Sequence, residues 1–291
     1  GAEAMAALRS ALPPGHAVYI RTASSDNVLD RDSTFTGFVY ASALMFRDVT
    51  HQLVPQCKAL LDGLNVDPRV AATTCRKLCV GLFSLDRGTP GLVVINLHCK
   101  SFKTALKEQA RFICQLRTLC LALPGVAEAV VAGDLNIESP WDASVSPDAQ
   151  RAKVEAAPFG SLPEELLAAG PARFEAGLQE DGLVSYPMTS QITSLKMRTQ
   201  FQAQPKKARE ISVAHKDCVI CSGASQRLRV AKCTTGGAAA VGSLNMSMLM
   251  PSSSWPTDHL AVLCVVDVLL QPATPKSRST TPTGEPNAAV D

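Results

Sequence analysis

The chain has 291 residues, of which 46% are hydrophobic, and its formal net charge is +2. It is long and apolar enough to bury a sizeable core, and one large domain accounts for its length. The mild charge argues neither for nor against nucleic acid, so any basic binding surface must be a local patch.

The ten cysteines and the hydropathy of the chain argue against a disulfide-rich protein and against a membrane-spanning one. Cysteines scattered over this length do not resemble a compact disulfide framework, which favours a reducing, intracellular compartment such as cytoplasm or nucleus. No run of 18 apolar residues is present, and residues 1–5 have no basic region followed by an apolar core, so neither a membrane span nor a signal peptide is expected. Cys218 and Cys221 are three apart and would face opposite sides of a strand, which indicates small core residues rather than a zinc or redox pair.

The first half of the chain begins with an irregular segment, residues 1–34. An apolar run over residues 35–46 predicts a strand, and residues 53–64 predict a short helix. Residues 77–85 and 92–98 then predict two strands of a hairpin, because the glycines and proline of residues 86–91 suit a turn. Asn96 and His98 share a face of the second strand. A histidine whose hydrogen bonds are satisfied at a sheet edge is the alternative explanation for His98.

A helix and a buried strand follow the hairpin. Apolar residues at spacings of three and four over residues 104–123 predict an amphipathic helix that lies on a sheet. Residues 126–132 predict a buried strand that stops at Gly133, where glycine permits a turn or a close backbone approach. If the chain stays extended, Asp134 and Asn136 point to one side and could hold a water against a phosphate. An ordinary Asx-turn explains the same residues equally well.

The second half of the chain has weaker patterns. Residues 138–158 predict a surface loop, residues 161–164 a capping box for a helix that ends near Gly170, and residues 173–188 an irregular segment. Five basic residues lie within 196–209, where Lys196 and Arg198 could bind phosphate, although a solvated basic loop is the alternative. Strands are predicted at residues 216–220, 227–233 and 260–266, and the tail 271–291 should be disordered.

Polar motifs stand at the ends of four of these strands. They are Asn96-Leu97-His98, Gly133-Asp134-Leu135-Asn136, Lys216-Asp217-Cys218-Val219-Ile220 and Thr257-Asp258-His259. In this order they resemble the endonuclease/exonuclease/phosphatase superfamily, the deoxyribonuclease I-like proteins, whose motifs read Asn-x-His, Gly-Asp-x-Asn, Asp-x-(Ile/Val) and Ser-Asp-His. Thr257 replaces the usual serine. The resemblance covers residues 35–266, and four ordered motifs are far more specific than one.

The resemblance implies an α/β fold, a four-layer sandwich in which two mostly antiparallel β-sheets pack face to face with flanking helices. The domain would span residues 35–270. In such a protein Asp134 would orient or deprotonate the attacking water, Asn136 would position that water, and His98 would stabilise charge at phosphorus. Asn96, with Lys196 and Arg198 of the basic segment, would contact phosphate.

The third and fourth motifs imply the rest of the site. His259, paired with Asp217, would act on the phosphate or the water, because a carboxylate behind an imidazole fixes its tautomer. Asp258 and Asp134 would hold a divalent cation. Oxygen ligands and a phosphate substrate favour Mg²⁺, or Mn²⁺, over zinc.

One departure from the family pattern concerns the metal. The family carries a metal-binding glutamate on an early strand, whereas Glu3 is the only glutamate before His98. Either that strand lies upstream of Gly1 or the chain is a degenerate member. The sequence therefore predicts a metal-dependent phosphodiesterase, a nuclease acting on RNA or DNA. The alternatives are a catalytically impaired member that serves as a binding or scaffold protein in a nucleoprotein assembly, and a phosphatase of inositol phosphates. Oligomeric state stays open.

Overall fold

The structure is a computed structural model that describes residues 9–21, 36–100, 102, 105–158, 160–197, 211–236 and 261–268, with residues 195–197, 236 and 261 described by backbone alone. Its strands are β1 (His16–Arg21), β2 (Thr36–Ala41), β3 (Met45–Asp48), β4 (Leu78–Ser84), β5 (Gly91–Leu97), β6 (Val126–Ile137), β7 (Leu183–Tyr186), β8 (Ser194–Met197), β9 (Ile211–Ser222), β10 (Leu228–Gly236) and β11 (Ala261–Val268). Its helices are α1 (Thr50–Gly63), α2 (Pro68–Arg76), α3 (Leu106–Leu121), α4 (Pro147–Ala156), α5 (Glu164–Ala169) and α6 (Pro171–Glu180). No helix within these ranges is long and apolar enough to cross a membrane.

A seven-stranded mixed sheet forms the centre of the molecule. Its order is β3-β4-β5-β6-β9-β7, and β8 also pairs with β9. The predicted hairpin is confirmed as β4 and β5, which pair antiparallel. The pair β5–β6 is parallel, so the chain must cross over between the two strands, and α3 makes that crossover.

The main hydrophobic core lies between this sheet and helices α1, α3 and α6. The apolar stripe predicted for α3 is confirmed, since Leu106, Ala110, Ile113, Leu116 and Cys120 are all at most 1% exposed. Across from them, alternate residues of β5 are fully buried. The helix therefore fixes the two parallel strands whose ends carry the first two motifs.

Two separate hairpins cover the opposite face of the sheet. The β1–β2 hairpin packs on β3 and β4 through aromatic rings, among them Phe38 edge-on to Phe83 with centroids 5.4 Å apart. The β10–β11 hairpin packs on β6 and β9 through a small core that contains Val130, Cys221 and Leu228. The predicted α/β fold with two packed β layers is confirmed, and within the described residues the second layer consists of two two-stranded sheets.

The structure corrects the predictions for the N-terminal third. Residues 16–21, within the segment 1–34 that was predicted to be irregular, form β1 because they pair in register with β2. The single strand predicted over residues 35–46 is wrong. A turn at residues 42–44 divides it into β2 and β3, which belong to different sheets.

The middle of the chain is more helical than predicted. The loop predicted at residues 138–158 contains α4, which is capped by Ser146 Oγ accepting from the Ala149 N–H at 3.3 Å. The capping box at residues 161–164 is wrong, because Ser161 forms a β-bridge with Gln191 and α5 begins after Pro163 without a side-chain cap. Residues 173–188, predicted irregular, contain most of α6 and all of β7.

Candidate functional site

A row of polar side chains crosses four neighbouring strands at one end of the central sheet. Lys77 precedes β4, His98 follows β5, Asp134 lies in β6 and Asp217 lies in β9. Asp134 and Asp217 are direct antiparallel partners. Three residues from three separate sequence motifs thus lie at adjacent positions.

Gly133 lets β6 approach the end of β5 closely. Its φ is +136°, and a Cβ atom at this position would lie 2.3 Å from the carbonyl oxygen of Leu97. Any side chain here would push the two strands apart, so only glycine fits. The close approach that was predicted for this glycine is confirmed, and it brings Asp134 beside His98.

The imidazole of His98 lies between a cation and an anion. Its Nε2 is 3.7 Å from Oδ2 of Asp134 and 3.5 Å from Nζ of Lys77. The side chains of His98 and Asp134 are 25% and 18% exposed, whereas Lys77 is only 6% exposed. Which atom donates in the contact with Lys77 depends on which ring nitrogen of His98 carries the proton. An ammonium, an imidazole and a carboxylate thus lie next to one another at the edge of solvent.

Asp134 uses its two carboxylate oxygens differently. Oδ1 accepts from the backbone N–H of Asn136 at 3.0 Å, which is the Asx-turn contact considered from the sequence. Oδ2 is the oxygen that faces His98. The turn and the functional placement therefore coexist, because the turn holds the carboxylate in one orientation.

The side chains of Asn136 and Asn96 both donate hydrogen bonds to backbone carbonyl groups. Asn136 has a left-handed φ of +50° and donates from Nδ2 to the carbonyl of Cys99 at 2.9 Å. The Cys99 N–H donates in turn to the carbonyl of Asp134 at 2.8 Å, so the segment after His98 is fastened to β6. Asn96 donates from Nδ2 to the carbonyl of Gly37 at 2.8 Å and ties β5 to β2. Their predicted contacts with water and phosphate stay predictions.

Asp217 lies in the middle of a long strand, not near its start as predicted. The first residues of β9 pair with β8, and its last residues pair with β7. At the change of partner, the N–H groups of Lys216 and Asp217 donate to Oγ1 of the buried Thr193 at 2.7 and 2.9 Å. This hydroxyl replaces the missing ladder partner and fixes Asp217 at the site.

Two further residues near Asp217 were missed from the sequence. Lys216 forms an ion pair with Glu138, with Nζ 2.7 Å from Oε1. His215 is 0% exposed, has Nδ1 3.0 Å from the carbonyl oxygen of Gln191, and has no partner at Nε2. Burial away from water lowers its pKa, so the ring is neutral and supports the strand from inside.

Lys77 is the missed residue that reaches the site itself. From the sequence it was only the first residue of a predicted apolar strand. The available signal was its place in the hairpin, since the antiparallel register of β4 and β5 sets the residue before β4 beside the residue after β5. A cation at that position therefore neighbours His98.

Several predicted site residues lie outside the described part of the chain. Asp258, His259 and Arg198 are among them, and Lys196 is described by the backbone of β8 alone. The predicted contact of Asp217 with His259 stays a prediction. In the described ranges no group of three or more His, Cys, Asp or Glu side chains could hold a metal. Asp134 and Asp217 nevertheless supply two carboxylates on paired positions, which fits Mg²⁺, an ion commonly bound by one or two carboxylates plus substrate phosphates.

Comparison with known proteins gives matches at the level of structure. No protein-family model matches the chain, and no curated protein sequence does. Similar solved structures include D. rerio TDP2 complexed with single-strand DNA product, at 13% identity and a TM-score of 0.46, over 92% of this chain and 82% of that one. ANGEL2, a 2′,3′-cyclic phosphatase, in complex with adenosine-2′,3′-vanadate, is 12% identical with a TM-score of 0.42, over 91% and 77%.

TDP2 and ANGEL2 are members of the endonuclease/exonuclease/phosphatase superfamily. Both TM-scores are below 0.5, so the resemblance that the motifs predict stays a prediction. A ferrous NO complex of Cimex nitrophorin is similar to the same extent, at 12% identity and a TM-score of 0.45, over 91% of this chain and 78% of that one. A shared fold does not assign a function, so the proposal below rests on the side chains of the site.

Proposed function

We propose that the chain is a phosphoric ester hydrolase that cleaves phosphodiester bonds of RNA or DNA. The observation that carries the proposal is the contact of His98 Nε2 with Asp134 Oδ2 at 3.7 Å, on a strand position paired with Asp217. A partly exposed carboxylate can receive a proton from water, and the imidazole beside it can stabilise negative charge on a neighbouring phosphate.

Each residue of the row has a role in this reaction. Oδ2 of Asp134 orients the attacking water and takes its proton as the oxygen of that water bonds to phosphorus. The P–O ester bond on the opposite side breaks, and the leaving oxygen takes a proton from solvent. His98 faces the phosphate oxygens and stabilises their charge. The ammonium of Lys77 adds a fixed positive charge behind His98, in a part of the site where little water screens it. A Mg²⁺ or Mn²⁺ ion held by Asp134, Asp217 and the predicted ligand Asp258 would supply Lewis acidity toward phosphate oxygens.

The preference for nucleic acid comes from the sequence between the second and third motifs. Lys196 and Arg198 begin a basic segment, and charge-assisted contacts to phosphate would orient a polyanion across the site. Inositol phosphates offer the same phosphate chemistry without a continuous backbone. The basic segment favours the polymer, because several cations spaced along a chain match successive phosphates.

A binding protein on the same fold is the second candidate, and one observation favours it. The amide nitrogens of Asn96 and Asn136 both donate to backbone carbonyls. If these bonds persist with ligand present, the site loses the amide that would position the water. Such a protein would hold phosphate next to His98 and Lys77 without turning it over.

Hydrolysis of a panel of RNA, DNA and inositol phosphates, with and without Mg²⁺, tests the proposal. Asp134→Asn keeps the Oδ1 acceptor for the turn and removes the charge, so folding should be unchanged while turnover falls by about 10²-fold or more. Asp62→Asn is the matched control, because Asp62 forms only an exposed ion pair with Lys58. Equal turnover by Asp134→Asn and the parent would remove Asp134 from the reaction. Binding of the substrates with no hydrolysis of any would favour the second candidate.

A further inference from the structure

The β10–β11 hairpin carries a pair of thiols at directly opposed positions. Cys233 and Cys264 are partners in its antiparallel register, and their Sγ atoms are 3.1 Å apart. Both residues are half-buried, and both are free cysteines in the structure. No part of the proposed hydrolytic reaction uses them.

The backbone at this pair suits a disulfide. Directly opposed residues of an antiparallel ladder have Cα atoms about 4.5–5.5 Å apart, and disulfides span Cα separations of about 4.4–6.8 Å. The two sulfurs already face each other across the ladder. Bond formation therefore needs a small rotation of side chains and no displacement of either strand.

The contact between the thiols also distinguishes their chemical roles. Cys264 donates its S–H to Sγ of Cys233. Burial, together with this hydrogen bond, raises the pKa of Cys264. The thiolate is the nucleophile in disulfide exchange, and the proton of Cys264 is held in the hydrogen bond to Cys233. Cys233 is thus the attacking sulfur and Cys264 the resolving one.

We propose that Cys233 and Cys264 form a reversible disulfide when the chain meets a small disulfide such as oxidised glutathione. The Cys233 thiolate attacks one sulfur of the oxidant, forms a mixed disulfide and releases one glutathione thiolate. Cys264 then loses its proton and attacks Sγ of Cys233, which forms the protein disulfide and releases the second glutathione. Two protein thiols are oxidised, and one glutathione disulfide is reduced to two thiols.

The crosslink has a structural effect because it closes a long loop. The two cysteines are 31 positions apart, and most of that interval is the connection between β10 and β11. Closing such a loop restricts the unfolded chain. We expect the midpoint of thermal unfolding to rise by about 10 °C. Since β11 starts two residues after His259 in the sequence, the crosslink also fixes the strand that follows the fourth motif.

A second thiol pair provides the matched control. Cys57 of α1 and Cys75 of α2 have Sγ atoms 3.6 Å apart, but these residues are only 0% and 8% exposed. A thiol in the core cannot meet a dissolved oxidant without local unfolding. If proximity of the two sulfurs were sufficient, both pairs would become oxidised. If the oxidant must also reach a thiol, only Cys233 and Cys264 become oxidised.

The experiment uses the full chain incubated with oxidised glutathione under native conditions. Free thiols are alkylated, linked peptides are mapped by mass spectrometry, and thermal unfolding is compared before and after reduction by dithiothreitol. We expect one linked peptide pair containing Cys233 and Cys264, a reversible rise of the midpoint, and the same result in Cys57→Ser. In Cys264→Ser, the mixed disulfide with glutathione should accumulate on Cys233.

Three results would overturn the inference. Complete alkylation of both cysteines after oxidation would show that the pair does not react. A linked peptide joining Cys57 to Cys75 at an equal rate would show that access does not select the pair. A Cys233–Cys264 link that leaves the unfolding midpoint unchanged would show that it does not constrain the hairpin.

Discussion

A buried ion pair joins α3 to the sheet and offers a quantitative test of the packing. The guanidinium of Arg117 contacts Oε1 of Glu128, and the two side chains are 11% and 8% exposed. Arg117 Nε also donates to the carbonyl of Ala129 at 2.9 Å, and Ser225 Oγ donates to Oε2 of Glu128 at 2.6 Å. The pair therefore connects a helix, the strand that carries Asp134 and the turn before β10.

Removing one partner leaves an uncompensated charge inside the protein. We expect Arg117→Met and Glu128→Leu each to lower the free energy of unfolding by about 3–5 kcal/mol. The double variant leaves no buried charge, and it loses the three hydrogen bonds that the pair makes with Ala129 and Ser225, worth about 0.5–1 kcal/mol each. The double variant should therefore lower the free energy of unfolding by about 2 kcal/mol, which leaves it more stable than either single variant.

Urea unfolding of the parent, both single variants and the double variant measures these differences. Lys107→Met is the control on the same helix, because Lys107 pairs with Glu180 at 2.6 Å while both side chains are 60% exposed. An exposed pair contributes about 0–1 kcal/mol. A double variant whose destabilisation equals the sum of the single values would refute the argument, since independent losses would mean that no charge is stranded.

Three further predictions follow from single features. Gly133→Ala should lower the free energy of unfolding by about 2–5 kcal/mol, because its Cβ would lie 2.3 Å from the carbonyl oxygen of Leu97. Gly125→Ala is the control, since Gly125 has φ +77° and no atom within 4 Å of the added Cβ, and this variant should lose only the free energy of its backbone strain. Equal losses of stability in thermal unfolding would exclude the contact with Leu97. Burial lowers the pKa of His215 in the folded chain, so as pH falls the unfolded chain takes up a proton at this residue before the folded chain does. The free energy of unfolding should therefore decrease as pH drops below about 6.5. His215→Gln should flatten that decrease in urea titrations at pH 5–8, and an unchanged slope would contradict this role of His215. Calorimetry should show weak Mg²⁺ binding and tighter Mn²⁺ binding, both weakened by Asp134→Asn; an unaffected metal affinity would place the ion elsewhere.

Local pattern predicted those parts of the fold whose stabilising contacts are near in sequence. The stripe of α3 and the hairpin of β4 and β5 depend on periodicity and a glycine-rich turn, and both were predicted with boundaries close to those observed. The strand β1 depends on pairing with β2 across a long interval, and no local pattern records that partner. The same holds for β9, whose first half is a strand because β8 lies beside it.

The candidate site also contains residues that the sequence indicated and contacts that it could not indicate. The four motifs and the family that they resemble singled out His98, Asp134 and Asp217, and the structure brings these three residues to neighbouring strand positions. The hydrogen bonds of the two asparagines could not be predicted, because their acceptors lie 37 and 59 positions away. Lys77 was missed because its neighbour is set by the register of two strands and not by any motif.

The division of the second β layer into two hairpins has a consequence for cooperativity. Among the residues that the structure describes, each hairpin forms its ladder only with itself, so either can separate from the central sheet without breaking a main-chain hydrogen bond of that sheet. Such elements open by partial unfolding at a lower free energy than the whole domain. The layer that packs on the central sheet thus consists of two units, and we expect each to open while the strands that carry the row from Lys77 to Asp217 remain folded.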